Sequence, residues 1–148
     1  MIRKPILVPA AFALIAGFGL AGCETVADAV AEGVTASLTG AQEVPGPGDP
    51  DGSGTAEVTV VNATANVCYD LNVRNIAPAT AAHIHRGGPT VAGPPVVTLE
   101  APTDGGSEGC ITVPATLADE IGANPAAFYV NVHNDEYPNG AIRGQLAR

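Results

Sequence analysis

The chain has 148 residues, with 15 acidic residues against six basic ones and three histidines, and its formal net charge is −9. This length suits one domain and leaves no room for a second core. All the acidic residues follow Cys23, whereas Arg3 and Lys4 precede it, so the chain from Cys23 onward carries −11. Because so acidic a domain repels phosphate backbones and its few arginines form no cluster, we expect no nucleic-acid partner.

The first 22 residues have the pattern of an export signal. Arg3 and Lys4 give a basic start, and an uncharged, mostly apolar run follows from Pro5 to Gly22. Prolines and glycines interrupt this run, and it falls short of the about 20 apolar residues that a transmembrane helix needs. We therefore expect residues 1–22 to be a signal peptide rather than a membrane span.

Residues 20–23, Leu-Ala-Gly-Cys, resemble a bacterial lipobox, in which small residues precede the cut and the cysteine accepts lipid. Acyl chains anchor strongly, since each buried methylene adds about 0.8 kcal/mol. We therefore predict a lipidated Cys23, a tether over residues 23–33 and a location in the cell envelope. Glu24 replaces the aspartate that commonly retains lipoproteins at the inner membrane, which favours the outer membrane in a bacterium that has two.

From Val34 onward, short runs rich in Val, Thr, Ile and Tyr alternate with Gly and Pro clusters, a pattern typical of an all-β domain. We predict an antiparallel β-sandwich or Greek-key barrel-like domain of seven or eight short strands over residues 34–148. A helical turn is predicted at Leu117–Ile121. The predicted strands are Val34–Leu38, Gly54–Asn62, Asn66–Arg74, Ala81–His85, Pro95–Glu100, Cys110–Val113, Phe128–His133 and Ala141–Leu146.

Two cysteines remain once lipid has taken Cys23. Alternation along their strands directs Cys68 and Cys110 away from the apolar faces. Outside the cytoplasm, two thiols in one small domain favour a disulfide. The loop between them is long, so the chain-entropy model gives roughly 4 kcal/mol of stabilisation.

Four motifs follow one another along these strands, at residues 38–45 (LTGAQEVP), 82–85 (AHIH), 129–133 (YVNVH) and 140–146 (GAIRGQL). In this order and spacing they resemble the CHRD domain family, named after chordin, over about residues 37–146. The resemblance implies an all-β, sandwich-like domain of exported bacterial proteins and of an animal extracellular antagonist, with no established catalytic residues. Ala141 stands where such domains often carry an acidic residue, and Arg86 directly follows the histidine pair.

The three histidines all lie in these motifs. His83 and His85 are two apart in a strand, so both side chains project from one face, and His133 has the alternation that would add it to the same polar surface. Imidazole is a good ligand for copper and zinc, and three such ligands can hold either metal. The structural alternative is that the rings hydrogen-bond a neighbouring loop and bind nothing, with Asn131, Asn134 or Asp135 fixing their tautomers.

Arg143 is the other candidate site residue. It has two interpretations: an ion pair with an acidic neighbour such as Asp135 or Glu136, or contact with an anionic ligand. The ion pair is the expected one. The flanking glycines indicate that another backbone approaches closely, which suits packing.

The sequence favours a non-catalytic module. The Gly-x-Ser-x-Gly pattern at residues 105–109, around Ser107, lies in a predicted glycine-rich loop and not at a strand-to-helix elbow. Three histidines are too few for the four-histidine copper centre of a dismutase. We therefore expect a membrane-anchored lipoprotein whose CHRD-like domain binds an unknown protein or small ligand or plays a structural role. The alternative is a copper- or zinc-binding envelope protein, for metal handling or redox protection, that uses His83, His85 and His133.

Overall fold

The computed structural model describes residues 31–148, except for the side chain of Glu32. The predicted signal peptide, lipidated Cys23 and most of the predicted tether lie outside the described residues. In chain order the described elements are β1 (Ala31–Thr39), β2 (Ser53–Val61), β3 (Asn66–Arg74), β4 (Ala79–Arg86), β5 (Pro95–Leu99), β6 (Gly106–Thr112), α1 (Ala115–Ala123), β7 (Phe128–Asn134) and β8 (Ile142–Gln145).

The eight strands form one antiparallel sheet in the order β5-β4-β7-β8-β1-β2-β3-β6. The sheet curls into a nearly closed barrel, so that its inner face lines a single hydrophobic core. This confirms the predicted all-β antiparallel domain and gives it a barrel-like form. No helix within residues 31–148 is long and apolar enough to cross a membrane.

Alternation along the strands decides which face is buried. In β2, Ala56, Val58 and Val60 are buried, whereas Thr55 and Glu57 between them are exposed. Burying an aliphatic side chain of this size contributes about 1.5–3 kcal/mol, so the apolar face is driven inward. The inner faces of the other strands add to the same core.

The largest differences from the predicted element bounds have local causes. The first strand starts at Ala31, ahead of the predicted Val34, because β1 pairs with β2 along its whole length. The sixth strand runs over Gly106–Thr112 instead of Cys110–Val113, since pairing with β3 stabilises glycine positions that weaken the strand signal. The other strand ends differ from the predicted ones by one or two residues.

The single α-helix of the described residues is longer than the predicted turn at Leu117–Ile121. It starts after Pro114, whose extended backbone serves as the N-cap, and ends before Asn124. Its buried side chains join the core from one end of the barrel. The helix therefore completes the hydrophobic interior and takes no part in the polar surface described below.

The predicted disulfide is present. Cys68 of β3 and Cys110 of β6 are direct cross-strand neighbours, with Cα atoms 3.9 Å apart and an S–S bond of 2.06 Å. Both lie on the outer face, Cys68 half-buried and Cys110 exposed, as the alternation predicts. The bond joins β6, at one edge of the sheet, to its only strand neighbour among residues 31–148.

Strand β7 departs from simple alternation, because all its residues are buried except the half-buried His133. Val130 and Val132 belong to the core, so Tyr129, Asn131 and His133 occupy the opposite, outer face. A buried outer face must be covered by something other than the core. Two loops cover it, residues 40–52 between β1 and β2 and residues 87–94 between β4 and β5, and we call the latter the covering loop.

Candidate functional site

The pairing of β4 with β7 brings the three histidines onto one surface. His83 lies directly opposite Asn131, and His133 lies opposite Ala81, one diagonal step from His83. His85 is two residues along β4 and therefore projects from the same face as His83. We call this outer side of β4, β7 and β8 the covered face.

The three imidazole rings touch one another. The ring centroid of His83 lies 5.5 Å from that of His85 and 5.2 Å from that of His133. The centroids of His85 and His133 are 6.1 Å apart. One ring nitrogen from each histidine lies within 4.8 Å of the others. Nitrogens that share a tetrahedral metal at about 2.0–2.1 Å are roughly 3.3 Å apart, so small side-chain rotations would close the set onto one ion.

Backbone carbonyl groups fix two of the rings. His85 Nδ1 lies 2.8 Å from the carbonyl oxygen of Gly93, and His133 Nδ1 lies 3.1 Å from that of Pro138. A carbonyl oxygen only accepts, so each Nδ1 carries the hydrogen and each Nε2 keeps its lone pair. Metal-binding histidines are oriented in this way by a second hydrogen bond.

Three of the other four ring nitrogens are buried and have no hydrogen-bond partner within the described residues. These are Nε2 of His85, Nε2 of His133 and Nδ1 of His83. Buried polar atoms are normally hydrogen-bonded, so three such atoms in one cluster need an explanation. The structural alternative, in which the rings only hydrogen-bond neighbouring loops, explains one nitrogen of His85 and one of His133. Their partners are the carbonyl groups of Gly93 and Pro138, and not Asn131, Asn134 or Asp135.

The cluster favours neutral imidazoles. Burial lowers the pKa of His83, with repulsion from His85 as a second cause, and burial also lowers the pKa of His133, with His83 as its nearest like charge. The pKa of His85 is lowered by burial and by Arg143, against the opposing effect of the Gly93 carbonyl. A neutral imidazole is the form that binds a metal.

Arg143 lies at the centre of the covered face, where it is 1% exposed. One guanidinium nitrogen donates to the carbonyl oxygens of Gly88 at 2.8 Å and Val91 at 3.1 Å. Its Cζ lies 3.4 Å from the centre of the Tyr129 ring. The arginine thus ties the covering loop to the sheet.

The expected ion pair between Arg143 and Asp135 or Glu136 is not the contact that the structure shows. Strand β8 places Arg143 opposite Asn131 in the middle of β7, whereas both acids follow the end of β7 in an exposed turn. Asp135 instead lines an open cavity of about 300 Å³ beside His83 and His133. Asp135 is therefore a surface residue at the edge of the histidine cluster.

Two more residues of the covered face hold the covering loop. Tyr129 stacks on His85, with ring centroids 4.9 Å apart, and its hydroxyl accepts from the backbone N–H of Gly93 at 3.1 Å. Gln145 donates to the carbonyl oxygen of Gly87 at 2.8 Å. The loop that supplies the Gly93 carbonyl to His85 is therefore fixed at both of its ends.

A buried carboxyl group of the loop at residues 40–52 lies against Asn131 on the covered face. Glu43, 6% exposed, accepts a hydrogen bond at 3.0 Å from the amide Nδ2 of Asn131, which is 3% exposed. Burial raises the pKa of Glu43 to about 7, although the hydrogen bond from Asn131 and the charge of Arg143 act to lower it. A Cβ at Gly48 or Gly140 would collide with the Glu43 side chain, so both glycines leave it space.

Sequence reasoning identified the histidines and Arg143 but gave no role to Glu43, Tyr129 or Gln145. The signal for Glu43 was an acidic residue in the middle of the motif at residues 38–45, outside any predicted strand. Strand alternation does place Tyr129 and Gln145 on the polar faces of β7 and β8. The strand order shows that these faces adjoin, and the loop contacts show that they are covered.

The three histidines offer the type of donor atom that transition metals prefer. Three neutral nitrogen ligands, two of them fixed by second hydrogen bonds, suit copper or zinc better than calcium or magnesium, which prefer oxygen. The described residues near the histidines include no serine or cysteine nucleophile. A barrel-like β domain with a three-histidine cluster on one loop-covered face is thus the class of protein that fold and site define.

The family model for the CHRD domain matches residues 34–146. The chain therefore belongs to the CHRD domain family, as its four motifs indicated. No curated protein and no solved structure gives a significant match.

Proposed function

We propose that this protein is an envelope lipoprotein whose CHRD domain is a metal-binding module, with one copper or zinc ion held by His83, His85 and His133. The function is binding, in metal handling, and not catalysis. The lipid on Cys23 would keep the domain at a membrane surface outside the cytoplasm.

One observation carries the metal proposal. Each of the three histidines presents a buried ring nitrogen without a hydrogen-bond partner within residues 31–148, and these histidines form one cluster. Leaving a buried acceptor unsatisfied costs about 1–3 kcal/mol, so an apo protein with three of them is penalised for the arrangement. A metal ion would satisfy all three at once.

The overall charge supports the same conclusion. The lowered pKa values favour neutral histidines and the chain from Cys23 onward carries −11, whereas Arg143 beside His85 acts against a bound cation. The negative potential of the whole domain would raise the local concentration of a divalent cation. The acidic surface alone would bind metal ions only weakly. The experiment must therefore distinguish this weak surface binding from binding at the histidine cluster.

The experiment measures the metal content of the full chain, purified in detergent, after copper or zinc loading and extensive dialysis. We expect about one tightly held ion per chain, and its loss in a His83→Ala, His85→Ala double variant. The matched control is Asp70→Asn with Glu108→Gln, which removes exposed acidic groups and should keep the ion. Circular dichroism checks that both variants fold.

Equal metal content in the histidine variant and the wild type would show adventitious binding and would refute the metal proposal. A wild type that folds and retains no metal would also refute it. The anchor is tested separately with Cys23→Ser, which should move the protein from the membrane fraction to the soluble one. A Cys23→Ser protein that stays with the membrane would contradict lipid anchoring.

A further inference from the structure

Asn131 stands out among the residues of the covered face. It lies opposite His83 across the β4–β7 pair and two residues before His133 on the same face of β7. Residues directly opposite in an antiparallel pair have Cβ atoms about 4.5–5.5 Å apart, so the side chains of Asn131 and His83 start close together on this face. Asn131 is therefore a direct neighbour of two of the three proposed ligands.

The amide of Asn131 has a defined orientation. Its Nδ2 donates to Glu43 Oε2 at 3.0 Å, and an ionised Glu43, whose oxygens only accept, requires the nitrogen end of the amide to face it. The oxygen end, Oδ1, is buried and has no hydrogen-bond partner within residues 31–148. It therefore joins the three unpartnered ring nitrogens as a buried electron-pair donor. Glu43 Oε1, Gln145 Oε1 and Arg143 Nη1 are likewise buried without a partner within residues 31–148.

Glu43 is enclosed by two glycines and by hydrogen bonds of its loop. Gly140 leaves the space that the Glu43 side chain occupies, and Gly48 leaves space both for Glu43 and for the carbonyl group of Ala141. The backbone of the loop closes around it through Gly48 N–H to Gly40 O at 3.1 Å and Asp49 N–H to Ala141 O at 2.8 Å. A built-in carboxyl group that fixes one amide suits a role in orienting a ligand.

We propose that Asn131 Oδ1 is a fourth, weak ligand of the metal held by the three histidines, and that Glu43 is the positioning residue that directs this oxygen towards the metal. This inference rests on the proposed function. Amide oxygen has a precedent as a weak axial ligand in copper sites that contain two histidines and a cysteine. The site then consists of three nitrogens and one oxygen, all from strands β4 and β7.

The experiment uses Co²⁺ as the probe, because its visible absorption bands report the number and type of ligands. The full chain in detergent is titrated with Co²⁺ as wild type, Asn131→Leu, Asn131→Asp and Glu43→Gln. Asn131→Leu removes the oxygen, and we expect about 10- to 100-fold weaker binding with altered bands. Asn131→Asp keeps an oxygen and adds charge, so it should bind at least as tightly as the wild type.

Glu43→Gln tests the positioning role. A glutamine can donate to Oδ1 and turn the Asn131 amide around, so its Co²⁺ spectrum should shift towards that of Asn131→Leu. The matched control is Asn134→Ala, which removes another buried β7 asparagine whose partners are the Ala77 carbonyl and the Tyr137 N–H. Its spectrum should remain that of the wild type, whatever its stability.

The outcomes separate this inference from the metal proposal. Unchanged affinity and bands in Asn131→Leu, with Co²⁺ binding abolished in the histidine double variant, would overturn the fourth ligand and leave the three-histidine site standing. Loss of Co²⁺ in Asn131→Asp to the extent seen in Asn131→Leu would also overturn it. Failure of the wild type to bind Co²⁺, Zn²⁺ or copper would refute both proposals.

Discussion

The two halves of the sheet differ in what covers their outer faces. In β2, β3 and β6 the outer face meets water, carries charged side chains and is crossed by the Cys68–Cys110 disulfide. In β4, β7 and β8 the outer face is largely covered by loops and carries buried His85, Asn131 and Arg143 beside half-buried His83 and His133. The same inward alternation serves both halves, so the difference lies only in what covers the outside.

This contrast indicates where function resides. Burying polar groups costs free energy unless they are paired. A polar face that served stability alone would therefore be expected to remain exposed to solvent. The covered face instead combines well-satisfied groups, such as the Nδ1 atoms of His85 and His133, with buried atoms that lack a protein partner. We infer that the first half provides durability and the second half provides the binding site.

Removing the disulfide should give the largest change in stability and none in metal binding. Cys68→Ser with Cys110→Ser opens a bridge between residues 42 apart, for which the chain-entropy model gives about 4 kcal/mol. The free energy of unfolding is measured in urea with and without the substitutions. A loss of metal affinity in the folded variant would contradict the independence of the two halves.

Arginine substitutions compare a buried contact with an exposed one. Arg143→Met removes two hydrogen bonds to the covering loop and the contact with Tyr129, and we expect it to destabilise the fold by about 2–3 kcal/mol. Arg86→Met breaks a solvent-exposed pair with Glu120 and a cation–π contact with Phe128, and should cost about 1 kcal/mol. Equal losses in thermal denaturation would show that the covered face is no more tightly built than the surface.

Glu43 should make the apo protein less stable as pH rises. Its pKa is about 7 in the folded state and 4.5 as the ordinary value, so the folded state binds more protons between these values. Stability from this group is therefore full below about pH 4.5 and falls by up to about 3 kcal/mol as pH rises through 7. Glu43→Gln should remove this dependence, measured as the difference from wild type in urea midpoint at pH 5 and pH 8. A difference that does not change with pH would contradict the burial of an ionisable Glu43.

The smallest expected effect lies on the water-exposed half. Asp70 stands directly between Glu57 and Glu108 on three neighbouring strands, and like charges in opposite positions repel. Asp70→Lys should replace two repulsions with two attractions and stabilise the fold by about 0.5–1 kcal/mol at low salt. The gain should shrink at high salt, because the pairs are exposed. Stabilisation that persists in high salt would point to a cause other than charge.

The fold was largely predictable from the sequence because alternation in strands such as β2 and β3 is a local signal. The disulfide was predicted from the cysteine count and the expected location outside the cytoplasm, and the same alternation put Cys68 and Cys110 on the polar sides of their strands. Strand β6 was mispredicted in part, since its glycines weaken a pattern that pairing with β3 restores. The partners of Arg143 and the role of Glu43 depend on which strands adjoin and which loops cover them. These are long-range contacts, so no local sequence pattern predicts them.

X-ray absorption spectroscopy of the copper- or zinc-loaded full chain tests the central claim most directly. The account predicts three imidazole nitrogens at about 2.0–2.1 Å from the metal, with loss of the imidazole scattering in the His83→Ala, His85→Ala variant. A first shell made only of oxygen atoms, or one unchanged by the double substitution, would contradict a metal site on the covered face.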